Sequence, residues 1–276
     1  MLQSGVIAID DGGNTTGIVT KNGLEMFPSV KGLHGNRTIT NITGKYDFIV
    51  DYKGEKYVMG DLAKWDCEYP MQMHSKTKCH EFFDLSVLVA IHQFGYSQNY
   101  LITSVPISMH NEDEKQNRIE RLKGEHTITV NGKTKTFYIE DVKVAPETAV
   151  AFWLKEPQGK TRYIDLGSRT IGYATTVCDN GATRFIDTES GTFMGMGIEA
   201  LGEKYNQKGL ADYICGRLNR QWSENDDVFL LGGGALDEEL VTHIRRYFPK
   251  SSVLENPQMA NAKGMYVLGR VAYNLA

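Results

Sequence analysis

Two carboxylates head two glycine-bearing turns in this chain. Asp10-Asp11-Gly12-Gly13-Asn14-Thr15-Thr16 comes back, altered, as Asp165-Leu166-Gly167-Ser168-Arg169-Thr170, about 155 residues later. Each copy follows a short apolar run, Val6-Ile7-Ala8-Ile9 or Tyr163-Ile164, and precedes a second one. The pattern predicts strand, tight turn, strand: the Asp closes the first strand and glycine lets the chain bend. Turns of this kind aim backbone N–H groups and small hydroxyls inward, which suits a polyphosphate, and each Asp can hold a metal ion. Two related halves facing each other across one nucleotide site are the expectation.

A third glycine element lies further on. Asp226-Asp227-Val228-Phe229-Leu230-Leu231 reads as a buried strand running into Gly232-Gly233-Gly234-Ala235, with a helix predicted from Leu236. Three glycines let a flat ligand approach the backbone, and helix N-terminal amides favour phosphate or polar base edges. Taken alone, the triplet also reads as a plain strand–helix turn. Near the C-terminus Gly264 falls early in an apolar helix, where it permits close packing at a propensity cost of about 1 kcal/mol.

The elements that must position these residues follow from periodicity and turn chemistry. Residues 5–30 predict two strands and a short run, Leu24-Glu25-Met26-Phe27-Pro28. Phe48–Tyr52 and Lys56–Gly60 flank Lys53-Gly54-Glu55 as a hairpin, in a glycine-broken stretch that reads as an inserted β-rich lobe. A helix is expected over 79–95, a buried strand over Leu101–Pro106, and a charged helix over Glu112–Lys123 with Asn111 as N-cap. Asn131-Gly132 makes a second hairpin. Val142–Glu147 is a strand leading to a helix over 148–155. The second half repeats the plan, with strands over 163–178 and a helical stretch around 198–220.

At 276 residues, two domains are the default. With 41% hydrophobic and 23% charged residues the chain can bury real cores. Lys+Arg 30 against Asp+Glu 34 gives net −4, which argues against a generic nucleic-acid surface. Arg217, Arg220, Arg245, Arg246 and Lys250 read as a local basic patch or, more simply, as ordinary solvated helix faces. The chain shows no signal-peptide pattern and no apolar run of bilayer length, so a cytoplasmic location is expected. Cys67, Cys79, Cys178 and Cys215 show no Cys-x-x-Cys pairing. A cluster of Cys67, His74, Cys79 and His80 matches no zinc-finger or ribbon spacing, and reduced thiols are expected.

Together these motifs resemble the actin-like ATPase superfamily, whose five signatures fall here in the family's order. Phosphate 1 matches Asp10–Thr16, connect 1 matches Val144–Ala149, and phosphate 2 matches Asp165–Thr170. The adenosine motif matches Leu230–Ala235, and connect 2 matches Ala260–Gly269. Tyr57–Ala63 is similar to a phrase of the insertion lobe. Pro146-Glu147 and Ala260-Asn261-Ala262-Lys263-Gly264 look like the plasmid-segregation actins of the ParM and Alp groups. Only about 60 residues separate Thr170 from Gly232. That gap hardly accommodates the small lobe relatives insert there.

The resemblance implies an α/β, actin-like (ribonuclease H-like, duplicated) fold with two domains around a nucleotide cleft and the second domain's small lobe reduced or absent. The first domain would span 1–144, with a lobe at about 31–75, and helix 264–276 would pack back on it; the second would span 145–263. It implies an ATPase that polymerises with ATP, or GTP, and Mg²⁺ and segregates plasmid DNA. The partners would be further copies of the chain and a DNA-binding adaptor on a plasmid centromere, with no direct DNA contact and no membrane. Asp10 and Asp165 would hold Mg²⁺ through waters. Gly12, Gly13, Asn14, Thr15 and Thr16 would cradle phosphates from one side, and Gly167, Ser168 and Thr170 from the other. Gly232, Gly233 and Gly234 would face the nucleoside. Glu147 would orient or deprotonate the attacking water, or serve only as a helix N-terminal carboxylate. Arg169 departs from the small residue usual there; it would reach the phosphates or lean toward a neighbouring subunit. A small-molecule kinase similar to pantothenate kinases is the alternative, followed by a chaperone-type ATPase and a non-enzymatic scaffold.

Overall fold

The first apolar run and its echo become two hairpins in the computed structural model, which describes residues 3–35, 44–71 and 77–275. The chain divides into two units. Unit 1 comprises Met1–Ser104, Asn111–Ala145 and Leu268–Ala276; unit 2 comprises Val105–His110 and Pro146–Val267.

Unit 1 runs β1 (Ser4–Asp11), β2 (Thr15–Thr20), β3 (Gly23–Pro28), β4 (Lys31–Leu33), β5 (Asp47–Tyr52), β6 (Glu55–Gly60), α1 (Asp61–Trp65), β7 (Glu68–Met71), α2 (Glu81–Phe94), β8 (Gln98–Val105), α3 (Glu112–Leu122), β9 (Gly124–Val130) and β10 (Lys133–Pro146). Its strands form one sheet in the order β3-β2-β1-β8-β10-β9-β5-β6-β4-β7. β1 pairs antiparallel with β2 and parallel with β8, with Ala8 opposite Ile102. The glycine-broken stretch thus joins the main sheet through β5, which pairs with β9. The lobe and second hairpins close as predicted, because Lys53-Gly54 and Asn131-Gly132 supply two consecutive positive-φ residues. α2 is buried from Phe82 through His92, and Leu85, Leu88 and Val89 join Ile7, Ile9 and Leu101 in the core. Asn111 caps α3 as expected, its side chain accepting from the Glu114 N–H at 2.9 Å.

Unit 2 runs β11 (Gly159–Leu166), β12 (Thr170–Asp179), β13 (Ala182–Phe185), β14 (Gly191–Met194), α4 (Ile198–Leu201), α5 (Gln207–Leu218), β15 (Asp227–Leu231), α6 (Glu238–Arg245) and β16 (Ser251–Val253). α7 (Ala260–Ala272) follows, and the division between units falls inside it. The sheet order is β13-β12-β11-β15-β16, with β14 also on β12. β11 is antiparallel to β12 and parallel to β15, repeating the pattern of β1 with β2 and β8. The stretch between Thr170 and Gly232 is filled by the rest of β12, two short strands, α4, α5 and β15. Ile164, Leu166, Ile214 and Leu230 centre one core.

Three expectations change. Residues 148–155 form a 3₁₀ segment, Ala149–Leu154, and Thr148 before it takes a positive φ that keeps it out of the helix. The stretch near 198–220 breaks after α4, where Gly202 takes φ 51° and a 3₁₀ turn follows. The helix expected from Leu236 starts at Glu238: Gly233–Leu236 winds as a 3₁₀ turn, and Asp237 caps α6 by accepting from the Glu239 and Leu240 N–H groups.

Candidate functional site

The two turns are built on one plan. Asp10 lies opposite Gly17 across the first hairpin and Asp165 opposite Gly172 across the second, so the registers match residue for residue. At each first glycine the backbone leaves no room for a side chain. A Cβ on Gly12 would stand 2.8 Å from the Thr15 carbonyl oxygen, and one on Gly167 would stand 2.7 Å from that of Thr170. Both turns are therefore tight at their first glycine, and each is headed by a carboxylate. Carboxylates so placed fit a hydrated Mg²⁺, and the groups that would meet a polyphosphate are the amides and hydroxyls of the turns.

In turn 1, the Asp10 carboxylate accepts from Ser104 Oγ at 3.3 Å and lies 4.0 Å from Lys78 Nζ. The Ser29 N–H donates to the Asn14 carbonyl at 2.7 Å. Thr16 is buried, and its hydroxyl shares a 2.8 Å hydrogen bond with Ser29. Beneath lies a group that motif reading passed over. Asp11 is fully buried, paired with Arg118, 3.4 Å from Lys78 Nζ and 3.2 Å from Thr103 Oγ1. Arg118 also donates to the Lys78 carbonyl at 3.0 Å and to Asp84 at 3.1 Å, and Arg121 Nε reaches Asp84 at 2.9 Å. Burial raises the Asp84 pKa against the pull of Arg121 and Arg118. Burial likewise pushes Lys31 well below the ordinary lysine value, against Asp11 and Asp84. The one signal in the sequence was Asp11 itself, a charge where the second copy has Leu166.

Turn 2 spends its carbonyls on a helix. The Ile198 N–H donates to the Gly167 carbonyl at 3.1 Å, and those of Glu199 and Ala200 donate to Ser168 at 2.9 and 3.0 Å. The open amides of α4 are thereby satisfied. Asp165 is buried, and its Oδ2 accepts from Asn261 Nδ2 at 2.7 Å. Its Oδ1 lies where a Cβ on Gly232 would overlap it, so Gly232, at φ 84°, both turns the chain and makes room for the carboxylate. Gly234 packs on Leu166 in the same way, while Gly233 is exposed. Glu147 is half-buried; its N–H donates to the Val105 carbonyl at 2.9 Å. Arg169 is half-buried. Desolvation lowers its pKa and the Glu147 charge opposes that shift, so these two side chains share one field.

Unit 2 thus gathers Glu147, Asp165, the 167–170 turn and the 232–234 run, while Asp10 through Thr16 belong to unit 1. Of the cysteine–histidine cluster, His74 lies outside the described residues. Cys67 donates to the Ala63 carbonyl, and burial raises the Cys79 thiol to about 11. Among the described residues no group of three or more His, Cys, Asp or Glu is placed to hold a metal, and no helix is long and apolar enough to cross a membrane.

The chain is similar to several solved structures over nearly its whole length. A 15-stranded ParM filament from Clostridium botulinum aligns at a TM-score of 0.78 and 18% identity, covering 98% of this chain and 100% of that one. AlfA from the B. subtilis plasmid pLS32, also solved as a filament, aligns at 0.75 and 20% identity, covering 94% and 97%. An archaeal actin homologue aligns at 0.78 and 16% identity, covering 97% and 99%. No curated protein matches by sequence. The family model for the N-terminal domain of actin-like proteins matches residues 8–149, more than half of the chain. With the paired hairpins and the duplicated α/β sheets, that match makes this chain a member of the actin-like protein family.

Proposed function

We propose that this chain is a nucleotide hydrolase that assembles into filaments with ATP, or GTP, and Mg²⁺, and that the filament moves plasmid DNA. The observation that carries the reading is the pair of register-matched turns, each tight at its first glycine and each headed by an Asp. The filament state of the ParM and AlfA structures supports the assembly part.

In this reading Asp10 and Asp165 hold hydrated Mg²⁺, which neutralises phosphate charge. Backbone amides of residues 12–15 and 167–170, with the hydroxyls of Thr15, Thr16, Ser168 and Thr170, bind the phosphate oxygens. Gly232 to Gly234 receive the nucleoside. Glu147 orients the attacking water and takes its proton, and Arg169 beside it supplies a cation to the departing phosphate. Light scattering and negative-stain microscopy after addition of ATP or GTP with Mg²⁺ test this. Filaments that form only with nucleotide support it; nucleotide-dependent phosphate transfer to a small molecule, without filaments, would replace it with the kinase.

A net charge of −4 makes direct binding to bare DNA weak at physiological salt. Arg217 lies over the Tyr213 ring, 3.6 Å from its centroid, and Arg245 Nε donates to the Ser251 carbonyl at 3.5 Å. A basic adaptor, clustered on a centromere repeat, then bridges filament and plasmid through many weak contacts. Filaments should co-sediment with plasmid DNA only when the adaptor is present. Strong adaptor-independent co-sedimentation would make Arg217, Arg220, Arg245 and Arg246 a DNA surface.

A further inference from the structure

The residue after Glu147 is held in a conformation that its own side chain resists. Thr148 sits at φ 65°, ψ −56°, and the Ala149 N–H donates to the Glu147 carbonyl at 2.6 Å. A hydrogen bond across one residue at those angles is a γ-turn of the rare, strained hand. A β-branched side chain makes positive φ costlier still. Such a turn persists only where its surroundings over-determine it.

Asn261, at the start of α7, supplies the determining contact. The Thr148 N–H donates to Asn261 Oδ1 at 2.9 Å, and Asn261 Nδ2 donates to Asp165 Oδ2 at 2.7 Å. The amide cannot be reversed, because an N–H needs the oxygen and a carboxylate needs the NH₂. Packing agrees with the bonding. Gly172, opposite Asp165, leaves the space that Thr148 Oγ1 occupies, and a Cβ there would overlap it. Gly264 lets α7 close onto the Val150 carbonyl just beyond the turn. One buried amide thus ties the backbone next to Glu147 to the carboxylate of Asp165.

We propose that Asn261 is a positioning residue for hydrolysis: by pinning the Thr148 γ-turn to Asp165 it fixes where Glu147 stands. The proposal rests on the water-orienting role given to Glu147 above. Without Asn261, Thr148 relaxes toward negative φ and Glu147 loses its station, while the phosphate turns remain intact.

The test is single-turnover phosphate release and fluorescent-nucleotide affinity for the parent protein, Glu147→Ala, Asn261→Ala and the double variant. Asn261→Ala should slow release about tenfold or more with affinity within about twofold. The double variant should be no slower than Glu147→Ala, since the two changes remove one function. Adding Thr148→Gly to Asn261→Ala should restore several-fold of the rate, because glycine takes positive φ without steric cost. Folding is checked by thermal unfolding. If Asn261→Ala does not fold, Asn261→Ser, too short to bridge both partners, takes its place. Unchanged release in Asn261→Ala, or fully multiplicative losses in the double variant, would overturn the proposal while leaving Glu147 its role. Unchanged release in Glu147→Ala would remove both.

Discussion

Two hairpins of identical register rest on opposite kinds of support. Under turn 1 the residue after the rim carboxylate is Asp11, fully buried among Arg118, Lys78 and Thr103. Under turn 2 the same position is Leu166, packed with Ile164, Ile171, Leu230 and Ala235. The backbone does not register the difference: Gly12 and Gly167 exclude a Cβ at 2.8 and 2.7 Å, against equivalent carbonyls. Turn shape therefore follows from glycine and strand register, and what lies beneath is free to differ. A buried ion cluster returns little net stability, yet it is costly to break once built. Arg118 Nε is buried without a hydrogen-bond partner, which places the cluster near the limit of what pairing can satisfy.

The largest effect should come from breaking that support. Arg118→Leu leaves Asp11 and Asp84 buried with fewer cations, and urea unfolding should show a loss of about 3–5 kcal/mol. Combining it with Asp11→Leu, which copies the underside of turn 2, should recover a substantial part. A loss under about 1 kcal/mol in the single variant would mean the cluster supports nothing.

The likeness of the turns is tested next. Gly12→Ala and Gly167→Ala each force a Cβ against a carbonyl, at a cost of about 1–3 kcal/mol. The two losses in thermal stability should be similar, and both variants should bind nucleotide more weakly. A harmless alanine at one site alone would show that the cradles are not equivalent.

A smaller effect separates binding from chemistry. Glu147→Ala should bind nucleotide almost normally and release phosphate about tenfold more slowly, equivalent to about 1.4 kcal/mol in the barrier. Filaments of this variant should persist longer after a nucleotide pulse. Equal release would reduce Glu147 to a structural carboxylate.

What could be read in advance divides by locality. The hairpins at Lys53-Gly54 and Asn131-Gly132 and the Asn111 cap depend on residues next to one another, and they appear as read. The two Asp-headed hairpins were legible as strand, turn and strand because glycine and aspartate recur at one spacing. Thr148 was not legible: its positive φ goes with a hydrogen bond to Asn261, which is distant in sequence. The ionic cluster draws Asp11 from β1, Lys78 from the stretch before α2 and Arg118 from α3, so no window of sequence contains it. The shifted start of α6 follows from Asp237, whose side chain accepts from the Glu239 and Leu240 N–H groups and so caps the helix there, after a 3₁₀ turn that the glycine run did not signal.

The proposed function requires that the two matched turns serve one Mg²⁺–nucleotide. Calorimetric titration of the parent protein, Asp10→Ala and Asp165→Ala with a non-hydrolysable ATP analogue, with and without Mg²⁺, tests it most directly. The account predicts one nucleotide per chain, with Mg²⁺-dependent affinity lost in both variants. Two nucleotides per chain, or Mg²⁺-dependent binding unchanged in either variant, would contradict it.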